Sequence, residues 1–452
     1  MNATGFSWIG IARLGLVQAM LGAIVVLTTS TLNRVMVVEL ALPALVPGLL
    51  VALHHAVQLT RPGMGFGADL TARRTPWIAG GMAVLAAGGV GAAISVSWME
   101  TAPAAGLALA IGAFTAVGIG VSAAGTSLLT LLAKRVAPAR RAGAAATVWV
   151  MMIVGFAVTA GMAGRFLDPY TPARLIAVSA TVSAIAVAVT MAALWRLEGR
   201  GAIESAAGEP GMTLARLREA LAEVWCETDA RRFTVFVFVS MLAYSAQDLI
   251  LEPFAGLMFG FSPGETTQLS GLQHGGVLAG MLLASLAGRR IAGLWFGSLR
   301  TWSVWGCLAS CVALAGLAHA GVAGTPGWPL RANVFVLGLA NGAFSIAAIG
   351  SMMALAGRGR ASREGVRMGL WGASQAIAFA VGGVSGTALA DLARWITGAA
   401  GPAYALVFAL EALLFIASAR LAATIAQPEG AGQDRREALP VTAGVPTTEG
   451  RS

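Results

Sequence analysis

Apolar positions run along this chain in stretches too long for the core of a soluble domain. A helix crosses a bilayer with about 20 mostly apolar residues, and such stretches fall near 12–36, 43–60, 76–98, 104–132, 143–164 and 173–195. A polar segment interrupts the pattern, and a second set follows near 234–258, 268–288, 299–319, 331–356, 366–390 and 402–425. The first stretch continues too long for a cleavable leader and reads as the first span. The pattern predicts an all-α integral membrane protein of about twelve transmembrane helices. They form two six-helix halves, 1–195 and 234–426, joined by a linker over 196–233. Within the linker, Leu214, Leu217, Leu221 and Val224 share one face of an amphipathic helix expected between Thr213 and Arg232. It reads as an interfacial helix, or as a docking surface for a soluble partner. The polar tail, 427–452, is expected to be disordered.

The polar positions give the orientation. Loops after the even-numbered stretches carry Arg61, Arg73 and Arg74; Lys134, Arg135, Arg140 and Arg141; the arginines from Arg196 to Arg232; Arg289 and Arg290; and Arg358, Arg360, Arg363 and Arg367. The other loops hold few, among them Arg165, Arg174, Arg331 and Arg394. The positive-inside rule then predicts that both termini are cytoplasmic.

Composition removes the soluble alternatives. Only 11% of the residues are charged and 57% are apolar, with mean hydropathy +0.76; soluble domains carry roughly 25% charged residues. The net charge of +9 lies in short clusters between apolar runs, so lipid rather than nucleic acid is the expected partner. The three cysteines support neither a disulfide framework nor a zinc site, and Cys307 and Cys311 read as packing residues on one helix face.

The halves echo one another. The first stretch ends with Asn33, Arg34 and Glu39, then proline and glycine; the seventh ends with Gln247, Asp248 and Glu252, then Pro253 and Gly256. Charged residues inside spans face a partner or a cavity. Arg34 and Asp248 are therefore expected to approach one another, or the neighbours Glu39 and Glu252, with Asn33 and Gln247 completing a polar cluster between the halves. The cluster is a structural clamp or a ligand- or proton-linked gate. Glu411, in the middle of the last stretch, is an intramembrane acid without an evident basic partner.

The loop from Gly65 to Arg74 reads GFGADLTARR. Gly65, Ala68, Asp69, Arg73 and Arg74 resemble the gating loop of the major facilitator superfamily, whereas Gly67 and Ala72 depart from its pattern. Asp69 is placed to cap the next helix and to pair with arginines. A weaker echo, Gly288, Arg289 and Arg290, falls at the same place in the second half.

A narrower resemblance surrounds that loop. Three stretches, TSTLNRVMVVELALPALVPGLLVALHHAVQLTRPGMGFGADLTARRTPWIAGG (Thr29 to Gly81), LEPFAGLMFGFSPGETTQLSGLQHGG (Leu251 to Gly276) and RMGLWGASQAIAFAVGGVSG (Arg367 to Gly386), resemble the PucC/LhaA family of purple phototrophic bacteria. This is also called the bacteriochlorophyll-delivery family of the major facilitator superfamily. The resemblance implies an inner-membrane, non-enzymatic assembly factor for light-harvesting antenna complexes, with bacteriochlorophyll as a transient ligand and antenna alpha/beta polypeptides as partners. Fold alone would allow a proton-coupled secondary transporter of an amphipathic solute instead. No paired aspartate-rich diphosphate motif, nucleophile–histidine–acid set or P-loop supports an enzyme.

If pigment binds, a chlorin magnesium needs an axial ligand, and His54, His55 and His274 lie within predicted spans. A hydrogen-bonded packing histidine is the plainer reading. His54 and His55 project about 100° apart on a helix, so only one can face a given site. Trp149, Trp302, Trp305 and Trp371 read as interfacial anchors or as stacking platforms. The glycine pairs Gly271/Gly275, Gly276/Gly280, Gly338/Gly342 and Gly382/Gly386 predict either close helix packing or a smooth groove.

Overall fold

The computed structural model describes residues 6–61, 64, 73–137, 140–198, 222–287, 290–291, 294–295, 297–324, 327–356 and 364–425. The first half contains α1 (Trp8–Glu39), α2 (Leu45–Thr60), α3 (Thr75–Thr101), α4 (Pro103–Arg135), α5 (Arg141–Leu167) and α6 (Pro172–Leu194). The second contains α7 (Thr228–Phe259), α8 (Pro263–Ala284), α9 (Leu299–Ala323), α10 (Leu330–Ala356), α11 (Glu364–Thr397) and α12 (Ala400–Thr424). Among the described residues ten helices are long and apolar enough to cross a membrane. The expected twelve is reached only by counting α2, which is short, and α8, whose Thr266, Thr267, Gln268, Ser270, Gln273 and His274 lower its apolarity. The all-α expectation has one local exception, an antiparallel pair of β1 (Arg290–Ile291) and β2 (Leu294–Trp295).

Helix ends differ from the hydropathy reading where polar chemistry sets them. α8 starts at Pro263 rather than 268, because Ser262 and Glu265 form a capping box, each side chain accepting from the other's backbone N–H at 3.1 and 3.0 Å. α7 stops where Gly260 turns left-handed at φ 69° and Phe261 N–H bonds back to the Ala255 carbonyl. α7 begins at Thr228 rather than 234. Of the expected linker helix, Leu214, Leu217 and Leu221 lie outside the described residues, whereas Val224 is fully buried. The tail from 427 also lies outside them.

The packing repeats. In the first half α1 packs on α5 and α6, α2 on α4, and α3 on α4 and α6. In the second, α7 packs on α11 and α12, α8 on α10, and α9 on α10 and α12. Each pair recurs six helices later. The halves meet centrally, where α1 touches α7 and α8, and in two larger seams that exchange under the same operation, α5 with α8 and α2 with α11. The core divides accordingly: one apolar cluster draws only on residues from Phe233 onward, and another only on the first half. The outer faces are apolar as well, with Ile9, Val312, Val322 and Trp395 exposed where lipid would meet them. This is a multi-pass membrane protein.

The glycine pairs serve packing. Gly276 and Gly280 of α8 interleave with Gly338 and Gly342 of α10, so closely that a Cβ at Gly342 would lie 2.8 Å from the Val277 Cα and run into its carbonyl. Gly382 and Gly386 likewise bring α11 onto α7. Gly342→Ala is expected to cost about 1–3 kcal/mol through overpacking. Gly275→Ala, with nothing within 4 Å of the added Cβ, should be neutral. Thermal denaturation of the two variants side by side checks the contrast.

Candidate functional site

The polar centre lies where α1 meets α7. Within α1 the regular ladder gives way twice to i→i+5 bonding, over Leu27–Thr31 and Val35–Glu39, on either side of Asn33 and Arg34. Such widened turns concentrate at functional positions. In α7, Pro253 has no N–H to give to the carbonyl four residues earlier, that of Leu249. Asn33 Nδ2 reaches across from the first half and bonds that carbonyl at 2.6 Å. A helix break in one half is thus satisfied by a side chain of the other.

Arg34 is buried and extends between the halves. It pairs with the Glu39 carboxylate and donates to the Phe261 carbonyl at 2.7 Å. Gly256 leaves room for it, since a Cβ there would lie 3.1 Å from Nη2. Of the two expected arrangements the direct Arg34–Asp248 pair does not form, and Arg34 takes the neighbouring Glu39. The i→i+5 turn from Val35 sets residues five apart above one another, and the charge of Asp248 acts instead on Tyr244, one turn earlier in α7, and on Glu411 of α12. Glu252 is buried, accepts a hydrogen bond from Ser30 of α1 and feels the Arg34 charge. Thr31 and Thr267 pair across the same seam at 3.1 Å, and Ser30 and Ser270 at 3.4 Å. Gln247 is fully buried with neither amide atom bonded among the described residues, so it does not share the hydrogen bonds of Asn33. Ser30, Thr31, Thr267 and Ser270 were not anticipated; isolated hydroxyls on apolar helices are too common to single out.

Three of the four histidines occupy the two seams. In α2, the Gln58 amide sits 2.9 Å from His54 Nε2 and 3.4 Å from His55 Nδ1. His54 is buried with Nδ1 unpartnered, whereas the half-buried His55 ring lies 5.4 Å from Phe379 of α11. In α8, His274 Nδ1 donates to the Ser270 carbonyl at 2.8 Å, and its ring lies 5.0 Å from Phe156 of α5. A backbone bond at Nδ1 leaves Nε2 as the lone-pair nitrogen, the form a metal takes up. His55 with Phe379 and His274 with Phe156 are counterparts under the repeat. The structure therefore separates the adjacent pair: His54 is engaged through Nε2, while Nε2 of His55 and of His274 makes no hydrogen bond among the described residues.

One end of each seam is clasped by an aspartate. Asp168, after α5, accepts from Ser262 Oγ at 2.7 Å and Gly264 N–H at 3.1 Å at the start of α8. Asp391 of α11 accepts from Ala44 and Leu45 N–H at 3.0 and 2.8 Å at the start of α2. Burial pushes the neighbouring Tyr170 phenol up to about 12, so this residue between α5 and α6 stays neutral.

At the arginine-rich end, Gly65 and Asp69, like Gly288 and Arg289, lie outside the described residues. Among the described residues Glu198, following α6, accepts from Arg74 N–H at 2.8 Å and from Thr75 N–H at 2.8 Å at the start of α3. Arg135 of α4 donates to the Glu198 carbonyl, and Arg13 of α1 to that of Ala193. Arg73 flanks this network. In the second half, Arg367 makes a two-point pair with Glu227, at 2.9 and 2.6 Å. Trp371, one turn on, is core rather than platform, 4.9 Å from the Phe233 ring. Trp305 is exposed.

A family model described as "PUCC protein" matches residues 31–430. The chain is 52% identical to the Rhodobacter capsulatus protein "Bacteriochlorophyll synthase 44.5 kDa chain", covering 94% of this chain and 97% of that one. It is 30% identical to "Protein PucC" of Rhodobacter capsulatus, covering 92% of each. Among solved structures it is similar to the nucleoside transporter NupG, with a TM-score of 0.64 at 14% identity over 91% of this chain and 98% of that one. That likeness concerns the fold, which is that of the major facilitator transporters.

Proposed function

The chain belongs to the PUCC protein family, and on that premise we propose that it is an assembly factor for the light-harvesting antenna complexes of a purple phototrophic bacterium. It works in the inner membrane, handing over bacteriochlorophyll and chaperoning antenna alpha/beta polypeptides. The observation that carries the reading is the repeated histidine–phenylalanine pair, one at each seam. A chlorin needs an axial ligand for its magnesium and a flat apolar wall for its ring. Nε2 of His274, its lone-pair nitrogen, supplies the first, and Phe156 beside it the second; at the other seam Gln58 donates to His55 Nδ1, so His55 and Phe379 offer a wall rather than a ligand. Both seams run between helices of the membrane bundle, where lipid-soluble cargo arrives without crossing water. Handover requires no bond to be made or broken in the macrocycle, so we read the role as delivery rather than synthesis, although one relative is named as a synthase chain.

The test is the absorbance of the protein purified in mild detergent from a phototrophic host. Near-infrared absorbance is expected to co-purify, to fall severalfold in His274→Ala, and to persist in His54→Ala. A colourless protein that retains antenna polypeptides would leave chaperoning and remove pigment handling. A colourless protein with neither would remove the reading.

A further inference from the structure

The second half carries buried acids that the histidine seams do not use. Glu411 of α12 is 2% exposed, and neither carboxylate oxygen has a hydrogen-bond partner among the described residues. Asp248 of α7 lies close enough for the two carboxyls to interact, and is itself half-buried. Four residues on, on the same face of α7, Glu252 accepts from Ser30 with one oxygen and leaves the other unpartnered.

The groups facing Glu411 can be named element by element. Asp248 of α7 acts on it directly; the helices packed on α12 also carry Tyr244 and Glu252 (α7), the thiols Cys307 and Cys311 and the exposed His319 (α9), and Asp391 and Arg394 (α11), the last two acting on Tyr404 of α12. Across the seam stand Arg34 and Glu39. Arg34 is paired with Glu39 and acts on Glu252, which leaves Glu411, on which the charge of Asp248 acts, without a compensating cation among the described residues. An uncompensated carboxylate inside an apolar bundle is costly, and ionisable groups kept there serve transfer or binding. A metal ion would be one remedy, yet among the described residues no three carboxylate or imidazole groups converge as ligands. The proton is the other.

We propose that Glu411, Asp248 and Glu252 form a proton-binding site. A proton resides on Glu411 and exchanges with water through the less buried Asp248. Its occupancy sets how firmly Glu252 holds Ser30 across the halves. The charge on α7 would thereby be linked to the seam on which the halves move, whatever cargo the protein handles.

Infrared spectra of the full-length protein in lipid nanodiscs, stepped from acid to alkaline pH in H2O and in D2O, test this. The wild type should show the carbonyl band of a protonated carboxyl, shifted in D2O and lost reversibly at alkaline pH. The band should vanish in Glu411→Gln and shift in Asp248→Asn. A wild type with no such band at any pH overturns the proposal, as does a band that never titrates or one unchanged in both variants. If Glu411→Gln does not fold, the Asp248→Asn spectrum decides. The measurement contains neither pigment nor antenna polypeptide, so its failure would leave the assembly reading standing, and a colourless protein would leave the proton site standing.

Discussion

Arg34→Met is expected to destabilise the protein by about 3 kcal/mol, enough to remove most folded material from a detergent extract. The substitution keeps the apolar stem and deletes the guanidinium. Glu39 then loses its ion pair, the Phe261 carbonyl loses its donor, and Glu252 loses its nearby positive charge. Breaking a buried pair from one side costs about 3–5 kcal/mol. The lower end applies because the Glu39 side chain is 34% exposed and can be hydrated in part. Glu39→Gln should cost less, about 1–2 kcal/mol, because Arg34 keeps the Phe261 carbonyl. The exchange of Arg34→Asp with Asp248→Arg should not restore folding, since Asp248 is not the partner. Fluorescence-detected size exclusion after heating reads all three. An Arg34→Met protein that melts with the wild type would show that the clamp holds nothing.

The double variant Asp168→Ala with Asp391→Ala is expected to part the halves at the end where both aspartates sit. Each carboxylate takes two hydrogen bonds at the start of a helix in the opposite half. Hydrogen bonds to a charged group contribute about 1.5–3 kcal/mol, and a carboxylate at a helix N-terminus adds about 0.3–1 kcal/mol from the dipole. Either single variant leaves the other clasp closed and should shift the melting point modestly. The double variant loses both, and the two effects should not add, because the clasps resist the same motion. Spin labels at Phe166 and Trp395, exposed near the ends of α5 and α11, report it. The distance distribution should broaden toward longer values only in the double variant, and an unchanged distribution would refute the clasp.

Much of the architecture was legible because hydropathy adds up along the chain. Ten of the twelve expected spans, two repeating halves and the polar run from Asn33 to Glu39 all follow from local composition. The start of α8 was legible too, in Ser262, Pro263 and Glu265, although a hydropathy window centred on the apolar residues passes over it. The glycine pairs announced close packing by their spacing, but not that α8 and α10 would interleave. The loop around Asp69, which points to the superfamily, contributes nothing to the structural account because it lies outside the described residues.

The sequence by itself determined that this protein lies in a membrane as two repeating helical halves, and which buried polar residues must find company. The tertiary structure decided which company. Asn33 answers a carbonyl freed by Pro253, a residue more than two hundred positions away. Asp391 caps a helix that starts near Leu45, and Glu39 rather than Asp248 takes Arg34. One of two adjacent histidines is held by Gln58, and the other faces a phenylalanine across a seam. Exposure to lipid is a sum over neighbours in the chain, so it can be read along it. Satisfying a buried donor or acceptor depends on distance and direction between segments far apart in sequence, and those exist only once the halves have closed on each other.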